Sequence, residues 1–223
     1  MKQQFFVQAI SRFFAGLLTV SLLLFLSAGS FRYPQGWLLL GILFVPMFIA
    51  GLIMMKANPE LLRKRLKMKE KEAEQRTVIL FSGLMFLSAF ILAGLCFRFH
   101  WLMLPFPFSI TAAIVFLAAY ALYAEVLREN RYLSRTVEVQ ADQHVIDSGL
   151  YGIVRHPMYM ATIFLFLAMP LVLGSAVSFI IMLLYIPIIV KRIRNEERVL
   201  TEGLPGYNDY REKVKYRLIP FIW

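Results

Sequence analysis

Cysteine is nearly missing: Cys96 is the one thiol among 223 residues. An internal disulfide is therefore impossible, and a cysteine-rich zinc site has no ligands. Charge is scarce too, at 17% of residues, against about 25% in soluble domains. Acidic residues are the rarer sign, 14 Asp+Glu against 24 Lys+Arg, which leaves a net charge of +10. No Gly-x-Gly-x-x-Gly sequence occurs, so a soluble-type nucleotide-binding domain is not on offer. What is there is apolar: 59% hydrophobic and 15% aromatic residues, with mean hydropathy +0.65. That composition excludes disorder and a soluble globular domain. It leaves an integral membrane protein with little mass outside the bilayer.

A membrane-crossing helix needs about 20 mostly apolar residues. Phe13–Phe31, Trp37–Met55, Thr77–Phe97 and Phe108–Leu127 qualify. Lys2 and Arg12 precede the first run, and Leu26-Ser27-Ala28-Gly29 loosely resembles a signal-cleavage region. The run is longer than the roughly 7–15 residues of a signal core, and a second run follows at once, so it reads as a retained helix. Tyr33-Pro34-Gln35-Gly36 is a tight turn, and Pro105 and Pro107 fit only a helix start. The next apolar stretch, Met158–Val190, holds 33 residues without a charge. It is too long for one span and short of the roughly 40 residues of two. With Pro170 and Gly174 in its middle, it reads as a tight hairpin of two short spans. The expected fold is all-α and integral to the membrane, with about six transmembrane helices, the last two a short helical hairpin.

Alternating the spans puts 22 of the 24 basic residues and all 14 carboxylates on one face, leaving Arg32 and Arg98 on the other. The positive-inside rule makes the charged face cytoplasmic, with both termini there. The membrane would be the inner or plasma membrane in a bacterium and an ER-like one otherwise. The +10 charge then serves orientation and membrane lipid contact, and nucleic acid is not an expected partner. Segment 56–76 reads as a helix lying on the membrane. Asn58 is a good N-cap, Pro59 fits the first helical position and Glu60 the first turn. Its plainest role is a charged loop held by anionic lipid.

Two polar segments on that face, Arg128–His156 and Lys191–Trp223, flank the hairpin, which brings them together. A site built from the aqueous side should use both. In the first, Pro157 opens a helix and makes His156 its cap residue. Free N–H groups at that helix start would suit a polar or anionic ligand group. Tyr151, His156 and Tyr159 could line one pocket there. The alternative is an ordinary snorkelling Arg155-His156 pair with tyrosines as interfacial anchors. In the second segment, a continued helix sets Arg192 and Glu196 on one face and Arg194 and Arg198 on another, with Glu197 between. The Arg192/Glu196 pair is either an ion pair worth a few tenths of a kcal/mol or a grip on two ends of a polar ligand. Gly203 stops the helix, and the aromatic, prolyl remainder reads as an interfacial tail folding back on the membrane.

The two segments together carry a resemblance. Gly149-x-Tyr151-x-x-x-Arg155-His156-Pro157-x-Tyr159, an apolar hairpin, Arg192-x-x-x-Glu196-Glu197-x-x-Leu200 and Tyr207-x-x-Tyr210-x-x-x-Val214 resemble the isoprenylcysteine carboxyl methyltransferase family. The resemblance covers residues 136–223, the catalytic region; residues 1–135 match only as generic membrane helices. It implies a membrane methyltransferase that uses S-adenosyl-L-methionine in a site at the cytoplasmic face. Carried over, the cofactor-binding residues are Gln143, His144, Val145, Ile146, Tyr151, His156, Pro157, Met158, Tyr159 and Glu196, with Gln140 at a spacing shorter than usual. Arg192 would face the substrate. Ala161 stands where relatives often have glycine. Arg192, Glu196 and Glu197 are the catalytic candidates, and no metal is implied.

The family's founding substrate is a prenylated C-terminal cysteine, so the expected partner is a lipophilic small molecule or a lipidated substrate. A carboxylate acceptor is already ionised at pH 7 and needs no base. An amine acceptor, as in a phospholipid N-methyltransferase, or a hydroxyl would need one, and His156 or Glu197 are the candidates. The runner-up enzyme is a sterol-reductase-like protein using NADPH, which shares the Arg-His-Pro-x-Tyr element and the tail Tyr216–Trp223. The Glu196-Glu197-x-x-Leu200 spacing and the small size favour the methyltransferase. A channel would need polar residues within the spans, where only scattered Ser and Thr occur.

Overall fold

The computed structural model of the protein describes residues 2–66, 73–134 and 136–223. They form helices α1 (Lys2–Ala28), α2 (Pro34–Ala57), α3 (Pro59–Arg65), α4 (Ala73–Phe99) and α5 (Phe106–Glu129). Then come α6 (Pro157–Val172), α7 (Ala176–Met182), α8 (Tyr185–Gly203) and α9 (Tyr207–Lys213). No strand occurs among the described residues. Five helical stretches are long and apolar enough to cross a membrane: Phe6–Ala28, Pro34–Ala57, Arg76–Phe99, Phe106–Glu129 and Ala176–Gly203. Pro157–Val172 is a shorter apolar helix. The protein is thus an all-α, multi-pass integral membrane protein.

The hairpin is there, with unequal limbs. The first limb, α6, has 16 residues. At about 1.5 Å each it is roughly 24 Å long, less than the roughly 30 Å of hydrocarbon. The second limb, α7 and α8, runs past the apolar stretch into the polar segment as far as Gly203. Pro170 lies inside the last turn of α6, and the reversal falls at Gly174, whose φ of +72° a side chain would resist. The tip is tied down by polar contacts. Leu104 N–H donates to the Gly174 carbonyl at 2.8 Å, the Tyr33 hydroxyl to the Leu173 carbonyl at 2.6 Å, and the Ser178 hydroxyl to the Ala89 carbonyl at 2.9 Å. Such bonds matter most where no water can replace them.

The core joins α1, α2, α4, α5 and α6 through residues such as Leu24, Leu39, Phe116 and Val172. Small residues let helices approach, as is usual in membranes. At Gly94, where α4 meets α1, an added Cβ would fall 1.9 Å from Ser27 Oγ and 2.6 Å from the Leu24 carbonyl oxygen. Gly94→Ala is therefore expected to cost about 1–3 kcal/mol, seen as a lower melting temperature in detergent. An unchanged melt would mean that the two helices can slide apart freely.

Asn58 caps α3 as expected, accepting from Leu61 N–H at 3.1 Å, and Leu61 and Leu62 are buried. Of the rest of the expected interfacial segment 56–76, residues 67–72 lie outside the described residues and 73–76 form the start of α4.

Candidate active site

Both polar segments meet at one end of the bundle. Between them lies a pocket of about 840 Å³, counted with its open mouth. Its walls come from the loop after α5, the start of α6, the polar half of α8, and α9.

The turn into α6 is built locally. Gly149 has φ +56°, and a Cβ there would lie 1.9 Å from Glu129 Oε1. The Glu129 carboxylate can therefore accept from Leu150 N–H, at 3.0 and 3.2 Å. One short helical turn later, the Tyr151 carbonyl accepts from the Tyr210 hydroxyl at 2.7 Å. His156 is the cap residue and Pro157 the first residue of α6. The backbone N–H groups of Arg155 and His156, however, are not available to a ligand. They donate to the carbonyls of Tyr216 and Arg217, each at 2.9 Å. The tail lies beside this turn.

Tyr159 links α6 to α8. Arg192 Nε donates to its hydroxyl at 2.9 Å, and the hydroxyl donates to Glu196 Oε2. The two α8 residues are thus joined through a third side chain. Glu196 Oε1 takes no hydrogen bond among the described residues. Glu197 turns the other way. Its Oε1 accepts from Arg155 Nε at 2.8 Å and sits 3.3 Å from His156 Nε2, and its Oε2 accepts from Arg217 Nε at 2.8 Å. The side chains of Arg155 and Glu197 are each only 6% exposed. Arg155 also donates to the carbonyls of Val214 and Lys215, at 2.7 and 2.9 Å.

Of the residues expected at a site, the structure brings Gln143, His144, Val145, Ile146, Tyr151, His156, Met158, Tyr159, Arg192 and Glu196 to the pocket wall. Three lie off it. Pro157 is fully buried in the helix start. Glu197 stands behind the wall as the hub of the cation cluster. Gln140 shapes the loop instead: its backbone N–H donates to Gln143 Oε1 at 2.9 Å, and its side-chain amide donates to the Tyr132 carbonyl. Residues without an expected role also line the pocket, among them Tyr132, Thr136, Glu138, Leu200 and Tyr207. The Tyr207-x-x-Tyr210 pair was visible as part of a motif. The loop wall has no periodicity to betray it. Burial pushes the hydroxyls of Tyr151, Tyr207 and Tyr210 up from their ordinary value, so all three stay protonated at neutral pH.

Residues 110–202 match the model of the isoprenylcysteine carboxyl methyltransferase (ICMT) family. The solved structure of the eukaryotic intramembrane Ras methyltransferase ICMT has the same fold, with a TM-score of 0.57 and 20% identity, covering 96% of this chain and 77% of that one. The Delta(14)-sterol reductase of Mus musculus is 28% identical over 91 residues, 40% of this chain. The chain spans 22% of that relative's length. The Arg-His-Pro-x-Tyr turn and the Arg192/Glu196 helix face both lie within the matched residues, so the chain is similar to the isoprenylcysteine carboxyl methyltransferase family over residues 110–202 and has the fold of the solved eukaryotic enzyme.

Proposed function

We propose that the protein is an S-adenosylmethionine-dependent methyltransferase that O-methylates the carboxylate of a lipophilic, prenylcysteine-like substrate at the cytoplasmic face. The observation that carries this reading is the Tyr159 hydroxyl held between Arg192 and Glu196 on the wall of the pocket. It sets a cation and a carboxylate side by side where the pocket meets the membrane helices. The residues fit such a donor. A carboxylate with an unused oxygen suits a sugar hydroxyl or an ammonium, and Val145, Ile146 and Leu200 offer apolar wall to a purine.

When bound, S-adenosylmethionine supplies an electrophilic methyl on a sulfonium centre, and the electron pair of the broken C–S bond stays on sulfur. Arg192 is oriented by Tyr159 and holds the acceptor carboxylate by a charge-assisted contact. Holding the acceptor in line is most of the task, and the membrane-side walls keep water off it. No proton is lost from a carboxylate acceptor. A carboxylate acceptor is the better fit to this site than an amine or hydroxyl, because the two base candidates are tied to each other, His156 Nε2 lying 3.3 Å from Glu197 Oε1, and Glu197 is held by Arg155 and Arg217 as well.

Labelled methyl transfer into a lipid or peptide extract tests the substrate role. Arg192→Ala is expected to cut transfer roughly 10–100-fold while S-adenosylhomocysteine still binds. Equal labelling by the variant overturns the role of Arg192. The reductase match supports a second reading, an enzyme using NADPH. The pocket argues against it: of its two arginines, Arg155 is spent on Glu197 and the carbonyls of Val214 and Lys215, where a pyrophosphate would call for a cluster of cations. Detergent-solubilised protein should bind S-adenosylhomocysteine and not NADPH. The reverse result overturns the methyltransferase reading.

A further inference from the structure

Tyr207 is an oddity in this wall. It lines the pocket and is 4% exposed, yet its hydroxyl has no hydrogen-bond partner among the described residues. Buried hydroxyls are nearly always paired. The ring is fixed in an apolar cluster with Leu204, Tyr210, Val145 and Leu200, so it cannot swing out to find water. Its neighbour Tyr210 shows the ordinary case, spending its hydroxyl on the Tyr151 carbonyl. An orphaned donor on a pocket wall is a place kept for a ligand acceptor.

We propose that the Tyr207 hydroxyl donates to a ribose hydroxyl of the bound methyl donor, the same sugar that gives a hydrogen bond to Glu196; this rests on the methyltransferase reading above. The charges nearby narrow the choice of acceptor. Burial, and then the Glu197 and Glu196 carboxylates, keep the Tyr207 hydroxyl protonated, against a smaller opposing pull from the Arg155 guanidinium, which is itself paired with Glu197. A ligand carboxylate placed there would be repelled by the two glutamates. A sugar hydroxyl suits the position, because it accepts from Tyr207 and donates to a carboxylate at once. A carboxylate on a ribose hydroxyl is a recurring pairing in nucleoside sites.

The test is Tyr207→Phe, which removes one oxygen and keeps the ring. Calorimetry on the detergent-solubilised full chain compares S-adenosylhomocysteine with 5′-methylthioadenosine, which lacks the amino-acid end. The variant should bind both ligands about 10-fold more weakly. Its ligand-free melting temperature should be unchanged or higher, since it loses an unpaired buried hydroxyl. Affinity within about twofold of wild type for both ligands overturns the inference. So does a penalty that vanishes with 5′-methylthioadenosine, or a lower ligand-free melting temperature with unchanged affinity, the mark of a structural role. Wild-type protein that binds neither ligand overturns the methyltransferase reading itself; wild-type binding with an unaffected variant overturns this inference alone.

Discussion

Glu197→Ala is expected to destabilise the protein by about 3–5 kcal/mol, the cost of stranding a buried charge. The carboxylate is the common partner of Arg155, His156 and Arg217. Arg155 is as buried as Glu197 itself and has only two carbonyls left once the carboxylate is gone. The loss should show as a lower melting temperature in detergent and as a tail newly open to protease. Replacing both partners, Glu197→Leu with Arg155→Met, should recover part of it, because the unpaired charge leaves with its partner. If Glu197→Ala melts like wild type, the cluster holds nothing together.

The second large effect is on binding. Glu196→Ala should weaken S-adenosylhomocysteine roughly 10–100-fold, the range of a hydrogen bond to a charged group. It should do so with little change in melting temperature, because Glu196 is half-buried and its protein bond is to Tyr159 alone. Calorimetry separates the two glutamates cleanly: one governs stability, the other affinity. Unchanged binding by Glu196→Ala removes it from the site.

Much of this was legible in the residues. Hydropathy located the spans, because a bilayer imposes a length on every one. Pro157 placed the start of α6 and the cap at His156. Helical spacing put Arg192 and Glu196 on one face. Other features depended on the approach of distant chain. Nothing local says that Tyr159 comes between Arg192 and Glu196, since that depends on how α6 leans on α8. The direction of Glu197 was ambiguous for the same reason: Arg155 and Arg217, which claim it, are 42 and 20 residues away. The expectation of free N–H groups at the α6 start is narrowed because the tail, some 60 residues on, takes those of Arg155 and of the cap residue His156. The loop wall around Tyr132 and Thr136 is irregular backbone, held by side-chain bonds that follow no period.

That tail has a consequence for biosynthesis. The carbonyls of Tyr216 and Arg217 and the Arg217 guanidinium complete the turn at Arg155-His156 and its glutamate. A nascent chain extending only to Tyr210 already contains every membrane helix and still lacks the back of its pocket. Whatever order biosynthesis takes, the turn at Arg155-His156 is complete only when the last residues of the tail have arrived.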